Sequence, residues 1–259
     1  GYTESGDYDE SQLPPHFFQW LNHYKTIIED AQVAGENVSR ESTQRRVQNR
    51  AKGWASIAPL LTSHWHQTSP YNDRCPFIPG TKNRAVCGCV ATAAAQVIYY
   101  YRKDNPETFN ANTPTYGTDE WHQIAVTEPI KKGTPLKWGL MLDSYPGGEP
   151  ADCRSAVADL VYGIGTMAKM GYSADGSGAQ IYDLVPPMKS FFNLSSTYVS
   201  KGNLSTASWE KMIYDDLAQG HPIVYSGHND KDEGHAVVLD GYQSSTGLFH
   251  FNYGWGGQG

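Results

Sequence analysis

The chain has no run of about 18 or more apolar residues, so no segment reads as a membrane-crossing helix. Nor does it open with a basic stretch followed by an apolar one, so an exported form implies a leader already removed. Cysteine is scarce: four in 259 residues are too few for a disulfide scaffold of this length. Two of them could pair while another stays a functional thiol, and composition leaves that choice open. Basic residues are in deficit, 20 against 27 acidic ones, for a net charge of −7. That balance argues against a nucleic-acid partner, which needs concentrated Lys and Arg. It leaves a protein or peptide partner open. Internal repeats and low-complexity tracts are also missing.

What is present is an ordinary globular composition, 39% apolar and 18% charged, with 17 Tyr and 7 Trp to fill the interior. Residues 1–10 read as an acidic lead-in. Pro14-Pro15 then open a helical pattern, with Phe17, Leu21, Tyr24, Ile28 and Ala31 on one face. A polar connector follows to Lys52, carrying Arg40, Arg45, Arg46 and Arg50, and a trypsin-like enzyme would find it accessible. A second section begins near Ala58. After a loop rich in Pro and Asn, alanines at 91, 93, 94 and 95 predict a helix over 90–101. Residues 104–148 read as loop-rich, without a defined element. Val157, Leu160, Val161, Ile164 and Met167 predict another helix, a Gly-rich turn occupies 174–179, and Trp209, Met212, Ile213 and Leu217 mark a third helix. Short β-prone runs then close the chain at 222–225, 235–239 and 248–253. The abrupt ending at Gly259 leads us to expect further sequence beyond it. Helices first and strands last predict an α+β domain rather than alternating βαβ units.

Nucleophilic cleavage by a thiol needs a thiolate, an imidazole, donors for an oxyanion and a group that orients the imidazole. Cys89 heads the predicted helix, where unpaired N–H groups and the dipole favour an anion and lower a thiol pKa. The bland alternative is a small core residue. His235 opens a strand-like run roughly 145 residues later, inside the range of about 130–150 for a papain-like nucleophile and base. A lone histidine there is more often structural. Asn252 and Trp255, on the return strand of an expected hairpin turned at 244–247, are candidates to orient the imidazole. Gln67 is the candidate oxyanion donor beside the Cys89 N–H.

Four blocks lie in order along the second section: Trp65-His66-Gln67-Thr68-Ser69-Pro70-Tyr71-Asn72, Cys89-Val90-Ala91-Thr92-Ala93, Gly234-His235-Ala236-Val237-Val238-Leu239-Asp240-Gly241 and Asn252-Tyr253-Gly254-Trp255-Gly256-Gly257. Together they resemble the streptopain family of bacterial cysteine peptidases. The resemblance implies a papain-like fold, a helical part followed by an antiparallel sheet, and a Cys89–His235 dyad assisted by Gln67. It implies that Ser177, Gly178 and Ala236 line the substrate cleft, and that an apolar residue two places before the scissile bond is favoured. It implies a secreted or cell-surface enzyme that acts on proteins or peptides and needs no cofactor or metal. Residues 1–52 are similar to the later part of the family's propeptide plus a connector, leaving 53–259 as the peptidase domain. A cut in the connector would then activate the chain.

Two residues depart from the family pattern. Cys87-Gly88-Cys89 carries a second thiol, which could be a bystander, a redox partner or a regulatory disulfide donor. Tyr253 stands where relatives often have Trp. Three rival readings remain at this stage. A zinc site on Cys87 and Cys89 with Cys75, His64 or His66 fits poorly, because thiolate sites usually space their cysteines more widely. A catalytically silent papain-like binding module has no reason to keep Cys, His, Gln and Asn together. Acyl transfer to an amine uses the same dyad as hydrolysis, and the sequence does not separate the two.

Overall fold

The structure, a computed structural model, describes residues 53–228 and 234–257. The helix expected from Pro14 and the basic connector lie outside the described residues. Four helices come first: α1 (Cys89–Tyr100), α2 (Ala151–Met167), α3 (Val185–Phe192) and α4 (Thr206–Ala218). Three strands follow: β1 (Ile223–His228), β2 (Gly234–Gln243) and β3 (Leu248–Asn252). The order of elements is that of the expected α+β domain.

Alanine decides where α1 sits. Its small side chains at 91, 94 and 95 let α2 approach, and these residues share the main core with Val157, Leu160, Val161 and Ile164. On its other side, Ala93 packs with Leu61 and with Val238 of β2. A helix buried around most of its circumference belongs between layers, and α1 lies between the helical half and the sheet.

The helix is entered through Gly88, at φ 87°, with no side chain capping the first turn. A Cβ here would stand 2.7 Å from the Ser177 carbonyl oxygen and 2.8 Å from the Met170 sulfur. Backbone conformation and space both demand glycine at this position.

The sheet is antiparallel in the order β1-β2-β3, with Gly227 opposite His235 and Asn252 opposite Val238. Helix α4 covers its other face, Ile213 and Leu217 meeting Leu239 beside Phe249 and Phe251. Between Leu239 and Gly241 the β2–β3 register slips, leaving Asp240 as the extra residue of a bulge. The bulge turns that carboxylate to use: Oδ1 meets His250 Nδ1 at 2.6 Å, and Oδ2 accepts from Leu61 N at 3.1 Å. With Leu60 N donating to the Asp240 carbonyl, the bulge fastens the incoming 57–61 segment to the sheet. That segment leads directly to Gln67.

Helix α3 was not visible in the periodicity. It is eight residues long, and its Pro186-Pro187 fit the first turn, where a missing N–H costs nothing. Residues 104–148 hold one short 3-10 turn at Trp138–Leu140 and isolated bridges such as Tyr116 to Val126, in keeping with a loop-rich stretch.

Candidate active site

Cys89 is the first residue of α1, so its own N–H and that of Val90 are among the donors a helix start leaves without intrahelical partners. The thiol is partly buried against the start of β2. Burial pushes its pKa up, while the backbone N–H groups of Ala236, Val90 and Cys89 pull it back down. Ala236 follows His235 in β2, so its influence on the thiol comes from the strand that carries the imidazole. The sign corrects the expectation from helix position alone, because desolvation outweighs the helix N-terminus. Ionisation of this thiol therefore needs a base beside it.

Two contacts among the described residues hold His235. Its Nε2 lies 3.2 Å from the Tyr253 carbonyl oxygen, an acceptor, so Nε2 carries the hydrogen and Nδ1 is the basic nitrogen of the neutral ring. Trp255 stacks on the imidazole at 4.9 Å between centroids and 22° between planes. Tyr253 stacks on Trp255 at 5.0 Å, and Phe251 on Tyr253 at 5.9 Å. An aromatic column thus backs the imidazole.

Asn252 is engaged elsewhere. Its Oδ1 accepts from Gln96 Nε2 at 3.1 Å and Gly254 N at 3.1 Å. Its Nδ2 donates to the Ser63 carbonyl at 2.9 Å and Gln96 Oε1 at 3.2 Å. All four positions of the amide are used, and the group facing His235 is the next residue's carbonyl. Asn252 shapes the turn that presents that carbonyl.

Gln67 is buried, and among the described residues its side-chain amide has no protein partner. Its backbone is fastened to the segment leading into α1, Cys87 N donating to the Gln67 carbonyl at 3.1 Å. Two residues earlier, the Trp65 carbonyl accepts from Gly256 N at 2.9 Å. The 65–67 segment therefore bridges the Cys89 and Trp255 sides of the site. A cavity of about 730 Å³ lies beside it, lined by His66, Thr68, Tyr145, His250, Tyr253 and Gly256 among others, and neither Cys89 nor His235 lines it. Ser177 stands against Gly88, its hydroxyl donating to the Val86 carbonyl at 2.5 Å.

Gln96 escaped the sequence reading. Fully buried two turns along α1 from Cys89, it ties three segments together. Its Oε1 accepts from Ser63 Oγ at 3.0 Å and Trp65 N at 3.2 Å, and its amide pairs with that of Asn252. A lone amide on an otherwise apolar helix was the available clue.

Cys87 lies in the core. It is fully buried, its sulfur 3.3 Å from Thr92 Oγ1, and burial pushes its pKa up to about 12. All four cysteines are free thiols, so no disulfide crosses the site. Among the described residues no cluster of His, Cys, Asp and Glu is arranged to hold a metal ion.

An Ala-rich helix headed by a thiol, wedged against a sheet whose second strand opens on an imidazole, defines the papain-like cysteine peptidase class. The chain belongs to the Peptidase C10 family, whose family model matches residues 65–259. It is 30% identical over 220 residues to streptopain of Streptococcus pyogenes serotype M1, covering 78% of this chain and 54% of streptopain. The thiol protease/hemagglutinin PrtT of Porphyromonas gingivalis is 27% identical over 273 residues, covering 99% of this chain and 30% of PrtT. The chain thus spans about half or less of the length of these curated relatives. Among solved structures, active wild-type interpain A, a cysteine protease of Prevotella intermedia, superposes with TM-score 0.69 at 31% identity. That match covers 78% of this chain and 83% of interpain A. A fragment of prointerpain A superposes with TM-score 0.73 at 28% identity, covering 97% of this chain and 76% of the fragment.

Proposed function

We propose that this chain is a cysteine endopeptidase that hydrolyses proteins or peptides through Cys89 and His235. The observation that carries the reading is the packing of α1, headed by Cys89, against β2, whose opening residues include His235, an imidazole with Nε2 committed to the Tyr253 carbonyl. His235 Nδ1 takes the thiol proton, and the thiolate attacks the scissile carbonyl carbon. The Cys89 N–H and the Gln67 side-chain amide hold the resulting oxyanion. Protonated His235 gives its proton to the departing amine, and the C–N bond breaks to leave a thioester. Neutral His235 then draws a proton from water, which attacks the thioester and releases the acid. Trp255 and the Tyr253 carbonyl hold the ring, and Asn252 and Gln96 hold the turn behind it.

The unpartnered Gln67 amide predicts a specific defect. Gln67→Ala should lower kcat by about 10²-fold to 10³-fold, the usual cost of one oxyanion donor, with KM little altered. Steady-state kinetics on a peptide substrate would check it, and an unchanged kcat would remove Gln67 from the mechanism.

Substrate lies along Ser177, Gly178 and Ala236. The backbone N–H and C=O of Ser177 have no hydrogen-bond partner among the described residues, so this edge can pair with the residue two before the scissile bond. The enzyme is secreted or cell-surface bound, and residues 1–52 are the later part of its own propeptide and the connector. The supporting observation is coverage: the prointerpain fragment matches 97% of this chain, the active form 78%. Limited trypsin treatment in the basic connector should raise activity on casein as residues 1–52 are lost. Loss of the segment without a gain in activity would end the zymogen reading and leave the dyad untouched.

A further inference from the structure

Gly171 and Gly178 form an isolated antiparallel pair, joined by Gly171 N to Gly178 O at 2.8 Å and Gly178 N to Gly171 O at 3.1 Å. Backbone groups alternate along an extended segment, so those of Ser177 point to the opposite edge, where they are unpartnered. The Ser177 side chain turns inward to Val86 and Ser173. The other face of the glycine pair is covered by Trp121. A Cβ on Gly171 would stand 2.8 Å from the indole Nε1, and one on Gly178 would stand 3.5 Å from ring carbon Cζ2. Yet the Trp121 residue is 58% exposed.

Hydrogen bonds hold its loop in place. Asp119 Oδ1 accepts from Trp121 N at 2.9 Å and His122 N at 2.6 Å. Asp119 Oδ2 meets His122 Nδ1 at 2.8 Å, and His122 Nε2 meets the Lys169 carbonyl at 2.9 Å. The Tyr116 ring packs against His122 at 4.7 Å between centroids. The indole's position is thus specified by the backbone around it, while much of the ring is left uncovered.

We infer that Trp121 is the wall of a specificity subsite for the side chain three residues before the scissile bond. The inference rests on the cysteine-endopeptidase reading. A substrate strand paired with the free edge of Ser177 places its opposite residue on the inward face that the Ser177 side chain occupies. Its neighbours in the strand must then project outward. The neighbour nearer the scissile bond goes to Cys89. The neighbour on the far side passes Gly178, where two glycines leave a flat floor and the indole stands as a wall. Such a subsite selects a large aliphatic or aromatic side chain, which covers exposed apolar surface on the ring. The Trp121 Nε1–H, which has no protein partner among the described residues, adds a donor for a substrate carbonyl.

The test compares two fluorogenic peptides, identical but for Phe or Gly three residues before the scissile bond, on the trypsin-treated full chain. In Trp121→Ala the ratio of kcat/KM for the Phe peptide over the Gly peptide should fall about tenfold. Trp121→Phe should recover most of that ratio. A ratio equal to that of the unaltered chain, or one that Trp121→Phe does not recover, would overturn the inference. A second readout separates this from failure of the peptidase reading. In trypsin-treated Cys89→Ala, the Trp121 indole N–H resonance should shift on adding the Phe peptide and stay still with the Gly peptide. An unmoved resonance with both would sink the subsite even if the unaltered chain cleaves neither.

Discussion

Cys89→Ala should abolish cleavage of casein, a loss of more than about 10⁴-fold, while Cys87→Ala keeps activity within a few fold. The two thiols lie two residues apart in sequence, yet their surroundings differ in kind. Cys89 keeps some solvent access and is influenced by the N–H groups of Cys89 and Val90 at the helix start and of Ala236 on β2, all of which favour the thiolate. Cys87 is sealed in the core with Thr92 and the His66 carbonyl around its sulfur. Its pKa near 12 leaves almost no nucleophile at neutral pH. Circular dichroism on both variants would show that folding is intact. Activity lost with Cys87 and kept without Cys89 would mean the wrong thiol has been assigned.

His235→Ala should cost nearly as much, about 10³-fold or more in kcat, because it removes both the acceptor of the thiol proton and the donor to the leaving amine. The effect should also be visible without substrate. Burial holds the Cys89 thiol above the ordinary thiol range, and without the imidazole nothing beside it accepts the proton. Alkylation of Cys89 by iodoacetamide at neutral pH should therefore slow markedly in His235→Ala and recover as pH is raised. In the unaltered chain, where imidazolium can accompany the thiolate, alkylation should already be fast at neutral pH. Equal rates across pH in the two proteins would show that His235 does not govern this thiol.

Much of the architecture was legible because the strong patterns are local. The alanine run gave α1 to within one residue at each end, and the apolar face from Val157 to Met167 gave the second half of α2. The three late β-prone runs became β1, β2 and β3 in the order expected. What stayed hidden depended on partners distant in sequence. Helix α3 shows too few turns for periodicity and owes its place to Phe191, Phe192 and Met188 in the core. Trp121 lay in a stretch with no pattern, and its position comes from Asp119, His122 and a carbonyl in the 169 region.

Within the site the same division holds. Cys89 and His235 stood out because each begins a regular element. The hold on the imidazole was harder to read, because a backbone carbonyl has no signature in sequence. The amide of Asn252 was the visible feature, and the carbonyl of Tyr253 is what meets Nε2. Gln96 illustrates the cost of satisfying polar groups in a core. A buried amide must find partners, and those it finds join the 63–65 segment to the turn behind the imidazole. That linkage makes the site one mechanical unit spanning the helical half and the sheet.

Which sulfur is reactive beside His235 decides the chemistry. Treating the trypsin-processed chain with an irreversible thiol-peptidase epoxide and mapping the adduct by mass spectrometry addresses it directly. The account predicts one modification, on Cys89, with loss of activity in proportion to labelling and little labelling in His235→Ala. An adduct on Cys75, Cys87 or Cys153 with Cys89 untouched, or labelling of Cys89 that leaves proteolysis intact, would contradict it.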